Sequence, residues 1–150
     1  MFPFRNRPTP NLPEGFILET EKLPSPIELN RLLARCKEKT HPPKRLELAL
    51  NKSFCCLSIL NAKNGKLSGF IRATSDNGLN ANLWNLVADP GERQKEFLAF
   101  LINRMLGILK RDLPGCSISV SSPEIALKSL KEQGFLLDPA GIRAMGFKLR

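Results

Sequence analysis

Residues 82–106, NLWNLVADPGERQKEFLAFLINRML, decide how this chain is read. An apolar stretch ending near Val87 stops at Asp89-Pro90-Gly91-Glu92, and a long helical pattern follows. In that pattern Phe97, Leu101, Met105 and Ile108 recur at helical spacing beside a second row of Leu98, Ile102, Leu106 and Leu109, a wide buried stripe that runs to Asp112. Asp89 is expected to cap the helix, with Pro90 in its first turn and Glu92 reaching back. Upstream, residues 80–87 read as a central strand covered on both sides. Leu83 and Val87 are expected on one face, Trp84 and Leu86 on the other.

Working outward toward the N-terminus, Asp76-Asn77-Gly78 marks a turn, and residues 66–74 and 54–60 form a hairpin about Asn64-Gly65. Before it, residues 44–51 read as a short helix carrying Leu46, Leu48 and Leu50. An earlier helix starts at a Ser25 cap with Pro26 in the first turn and Glu28 three residues on, and it buries Leu29, Leu32 and Leu33 up to Cys36. A first strand from Gly15 puts Phe16 and Leu18 on one face and stops at Pro24. Residues 1–14 hold Pro3, Pro8, Pro10 and Pro13, which forbid a helix or a central strand, so this stretch reads as a mobile tail, with a strap docked by the apolar Phe2 and Phe4 as the alternative. Toward the C-terminus, Pro114-Gly115 breaks the long helix. Residues 117–121 then read as a strand, residues 123–133 as a helix ending at Gly134, and residues 142–149 as a last strand. The expected organisation is one mixed α/β domain over residues 15–150 behind the proline-rich tail.

Composition narrows the function classes. At 150 residues and 42% hydrophobic, the chain can build one core without covalent staples. No apolar run approaches the roughly 20 residues that cross a bilayer, and the first residues lack the apolar core of a secretory signal, so a cytoplasmic location is expected. Cys36, Cys55, Cys56 and Cys116 lack the spacing of a metal or redox motif and read as small hydrophobes. His41, the one histidine, precedes Pro42-Pro43 and reads as a loop residue, which leaves neither a metal site nor a Ser-His-Asp triad. A net charge of +9 favours an anionic partner, such as an acidic protein or complex. The excess is spread along the chain and tyrosine is absent, which argues against nucleic acid.

Two joints carry a resemblance. The quoted stretch resembles the core of the GNAT acyltransferase superfamily, where a strand ending in valine runs through a proline turn into a long helix. Residues 117–135, SISVSSPEIALKSLKEQGF, resemble the later strand and helix of the same family, which end in a charged stretch before Gly134-Phe135. The resemblance implies a mainly antiparallel central sheet flanked by helices on both faces. It also implies acetyl-CoA lying between two splayed strands, with its pyrophosphate on the amides that open the long helix.

Carried over residue by residue, the resemblance makes Leu86, Val87, Arg93, Gln94, Lys95 and Ser122 the cofactor-binding residues. Arg93 matches the family's arginine, whereas the glycine positions of its phosphate loop fall on Glu96 and Leu98, or on Lys95 and Phe97 one residue over. Asp89, Glu92 and Glu96 stand close to the same amides, so weak or absent acetyl-CoA binding is expected. The family's tyrosine acid aligns with Leu130, and Asn80, Asn82 and Asn85 occupy the stretch where a glutamate base often stands. Catalytic residues are therefore not assigned. Ser121 and Ser122 have a second use as caps of the helix that begins near Pro123. Two readings stay open: an N-acetyltransferase with an atypical cofactor loop, and a non-catalytic protein of the same fold that binds an acidic partner.

Overall fold

The computed structural model describes residues 8–149. Phe2 and Phe4 lie outside the described residues; within the rest of the proline-rich lead, Leu12 packs against the core. Strand β1 (Phe16–Glu19) precedes helices α1 (Pro26–Arg35) and α2 (Pro43–Lys52). Strands β2 (Cys55–Asn61), β3 (Leu67–Ser75) and β4 (Asn80–Ala88) follow, then the long helix α3 (Gln94–Asp112), strand β5 (Ser117–Val120) and helix α4 (Glu124–Glu132). The sheet runs in sequence order, antiparallel from β1 to β4, with β5 added parallel to β4. This is the mixed, mainly antiparallel sheet expected, with helices on both faces.

Local chemistry explains most boundaries. Ser25 Oγ accepts from the Glu28 amide at 3.1 Å, the cap the sequence implied. Asn64 Oδ1 accepts from the Lys66 amide, and Gly65 takes φ +71, so the β2–β3 turn falls where the Asn-Gly pair predicted it. In the next turn Asp76 Oδ1 accepts from the amides of Gly78, Leu79 and Asn80, which holds its carboxyl below the usual carboxylate range.

Two cores divide the sheet. Leu29, Leu32 and Leu33 of α1 with Leu46 and Leu50 of α2 cover Cys56, Leu67, Phe70 and Val87. On the other face α3 lays Phe97, Leu98, Leu101, Ile102 and Met105 against Leu57, Ile59, Ile71, Ala73 and Leu83, and α4 adds Ala126 and Leu130. Gly69 makes close packing possible there, because a Cβ at that position would sit 3.1 Å from Ile59 Cδ1 and 3.3 Å from Leu101 Cδ1.

Three expectations are corrected. β4 does not alternate evenly: Leu83 and Leu86 share the α3 core, while Val87 faces α1 and α2. The cause is a bulge, a register shift between Phe70 and Arg72 opposite Asn85, whose φ is +53. An extra residue reverses the facing of everything after it. Second, the α3 helix starts at Gln94 rather than Pro90. Third, residues 142–149 form no strand. Met145, Phe147 and Leu149 alternate as a strand would, but no sheet edge receives their amides, and Asp138, Ala140 and Gly141 turn the chain through positive φ just before. Leu101, fully buried between β3 and the rest of α3, gives the core a direct test. Leu101→Ala is expected to lower stability by about 3 kcal/mol with the denaturant slope unchanged, read from equilibrium unfolding.

Candidate active site

The joint between β4 and α3 is built from the end of the strand outward. The Asp89 amide closes the ladder on Ser68 O at 2.8 Å. The Asp89 carboxylate turns toward α1, accepting from Arg35 Nε at 2.6 Å with Lys66 Nζ at 3.7 Å. Arg35 also donates to Leu67 O at 3.0 Å, and Cys36 Sγ donates to Ala88 O. Asp89 therefore does not cap α3. No side chain caps it, and among the described residues the Lys95 and Glu96 amides have no acceptor.

Gly91 makes the turn possible. Its φ of +150 lies outside what residues with a Cβ readily adopt, and nothing stands within 4 Å of a Cβ built there. The backbone before α3 is thus glycine-permitted and open, although the family's two loop glycines are absent.

β4 and β5 pair only from Asn80↔Ser117 to Leu83↔Val120. Residues 84–88 run on without β5, so the two strands part beyond Leu83. Between α3 and α4 lies a cavity of about 640 Å³ lined by Lys95, Leu98, Ala99, Glu124, Ile125, Lys128, Ser129 and Glu132. The lining thus mixes cations and carboxylates, and Lys95 also carries one of the uncapped amides.

The expected cofactor residues separate into groups. Lys95 lines the cavity. Arg93 instead lies 5.8 Å from the Phe16 ring centre, and Phe16 meets Phe97 edge-on at 4.7 Å, so this guanidinium is turned toward β1. Gln94 Nε2 donates to Ala88 O at 3.0 Å and ties the helix start to the strand end. Leu86 and Val87 are buried on opposite faces of the sheet. Ser122 Oγ donates to Pro123 O at 2.7 Å and, like Ser121, does not cap α4, whose N-cap position is Pro123. Leu130, where the family's tyrosine acid aligns, is 2% exposed and packed in the core.

Sequence reading missed two features. The Asp89–Arg35 pair joins residues 54 positions apart, and no spacing rule links them. His41 lies in a loop, as expected, but with an unforeseen partner: its amide and carbonyl both bond the Asn30 side chain, at 3.0 and 2.8 Å. Burial first, then the charges of Lys39 and Arg72, hold its imidazole below the ordinary value, so it is uncharged at neutral pH.

An "uncharacterized N-acetyltransferase" of Pyropia yezoensis is 32% identical over 106 residues, a match covering 69% of this chain and 60% of that protein. A protein of Arabidopsis thaliana named GCN5-related N-acetyltransferase 1, chloroplastic, is 29% identical over 136 residues, covering 89% of this chain and 68% of the relative. The chain belongs to the GNAT superfamily. Its fold agrees with the crystal structure of a Staphylococcus aureus protein described as a probable acetyltransferase, with a TM-score of 0.78 at 12% identity over 89% of this chain and all of that one. No protein-family model matches the chain. It spans about 60% of the length of the first curated relatives it matches.

In this GNAT chain the Asp89 assignment is testable by a double-mutant cycle. Asp89→Ala and Arg35→Ala are expected to show a coupling of about 1 kcal/mol in unfolding free energy, whereas a helix-capping Asp89 gives additive losses.

Proposed function

We propose that the chain binds acetyl-CoA along the opening between β4 and β5 and promotes transfer of its acetyl group to a primary amine. One observation carries this reading: the Lys95 and Glu96 amides at the start of α3 have no acceptor among the described residues, and the Asp89 carboxylate, which the sequence offers as their cap, is held by Arg35 and Lys66 instead. Uncapped amides at the positive end of a helix suit a pyrophosphate, and Lys95, which carries one of these amides, offers a cation beside them. Glu92 and Glu96 are exposed and weaken the field there, so modest affinity is expected.

The residues present fit the group in a definite way. The α3 amides and Lys95 would hold its phosphates, and the unpaired flank of residues 84–88 offers backbone to its pantetheine arm. Acetyl-CoA supplies an acyl group already activated as a thioester. The chain's contribution is to hold the acceptor amine in line with it and keep water out, because no tyrosine exists and Leu130 fills the aligned position. A neutral amine from solvent needs no general base from the protein. On this reading the enzyme works by positioning and its rate rises with pH as the acceptor loses its proton.

Acetyl-CoA at about one hundred times its Kd is expected to stabilise the chain by about 2.7 kcal/mol, read as a rise in Tm. Lys95→Glu should weaken binding by about tenfold, or about 1.4 kcal/mol. A rise in Tm with no acetylated amine in a broad acceptor screen would favour the non-catalytic reading, which the buried Leu130 motivates. No rise at millimolar acetyl-CoA would remove the transferase reading.

A further inference from the structure

Helices α1 and α2 cover only part of their sheet face. Phe70 and Val87 are buried beneath them, while Arg72, Asn82, Trp84 and Ser119 beside these residues are not. Arg72 Nε donates to Asn85 Oδ1 at 2.7 Å, and Nη1 reaches Ser53 Oγ at 3.4 Å. A guanidinium has five N–H donors, and no carboxylate among the described residues pairs with this one. Burial lowers its pKa, with a smaller opposing effect from Cys56, as befits a cation partly removed from water with neutral companions.

Trp84 supplies an apolar wall. Its indole N–H donates to Thr74 Oγ1 at 2.8 Å, which fixes the ring, yet the residue stays 42% exposed. The Arg72 guanidinium lies 5.9 Å from the ring centre. Trp84 is also the first β4 residue beyond the last pair with β5, Leu83↔Val120, so wall and cation stand at the mouth of the opening. The bulge at Asn85 creates the arrangement, because its positive φ turns the amide side chain to Arg72.

We infer that this surface selects the acceptor: an amine on an apolar stem that ends in a carboxylate, the carboxylate on Arg72 and the stem against Trp84. Arg72 is on β3 opposite Trp84, one strand spacing of roughly 5 Å from β4. A planar carboxylate matches a single guanidinium fork, whereas a phosphate dianion calls for several cations. The role given to the amine rests on the acetyl-transfer reading; the anion site does not.

Trp84 is the chain's one tryptophan, so its emission reports on this surface alone. Titration of the full chain, free of CoA, with N-acetyl-ε-aminocaproate is expected to change that emission saturably. The carboxamide of the same compound and inorganic phosphate should leave it unchanged at equal concentration. Arg72→Gln should weaken the response by at least about tenfold with its circular dichroism unaltered. If that variant does not fold, the contrast between carboxylate and carboxamide on the unmodified chain still decides. No response, an equal response to the carboxamide, or an equal response to phosphate overturns the inference. An emission change without an acetyl-CoA melting shift keeps the anion site and removes the transferase reading; the reverse outcome removes the anion site alone.

Discussion

The ion pair between Asp89 and Arg35 is the constraint on which the candidate site depends. Arg35 closes α1, Asp89 follows β4, and Leu67 O on β3 receives the second arginine bond. At 33% and 20% side-chain exposure the pair is partly screened, so its worth in stability is modest. Its geometric effect is larger. A carboxylate one turn before a helix would ordinarily satisfy the first amides, and here it is held by cations on the opposite side. The chain thus keeps an acidic residue at the joint without using it to cap the N-terminal end of α3.

The bulge at Asn85 is the second organising device. It lets one strand serve two cores, placing Leu83 and Leu86 under α3 and Val87 under α1 and α2. It also separates β4 from simple pairing at the point where β5 departs. At and just before it the strand presents Asn85 and Trp84 toward Arg72, and beyond it Gln94 fastens the strand's last carbonyl to the helix. A plain strand of the same length would have turned Leu86 out of the α3 core.

The sequence made the elements legible and their junctions less so. Periodicity located α3 because two apolar rows at helical spacing have few other uses, and the Asn-Gly turn fixed the β2–β3 hairpin by local φ preference alone. Ser25 and Glu28 behaved as a local cap because both partners lie within one turn. Asp89-Pro90-Gly91-Glu92 carried the same local signature and behaved otherwise, since Arg35 competes for the carboxylate from far along the chain. Residues 142–149 failed for a related reason: alternation describes a face, while a strand needs an edge. Of the expected cofactor residues, Lys95 lines the α3–α4 cavity at the helix start, whereas Arg93 is drawn to Phe16, a partner that only tertiary packing supplies.

Charge placement separates this chain from a merely basic one. The net excess of +9 is spread out, but the cations near the opening differ in their partners. Arg35 and Lys66 share the single negative charge of Asp89, and Arg93 lies over an aromatic ring. Lys95 and Lys128 line the α3–α4 cavity, while Arg72 on the other side of the sheet bonds only neutral side chains. The region toward the helix amides is therefore one of mixed charge, with Glu124 and Glu132 beside the lysines, while the region toward Trp84 holds a cation with neutral partners. On the proposed function, the helix amides would draw the phosphates of an acyl donor and Arg72 the anionic end of an acceptor, so the two anions would meet different groups.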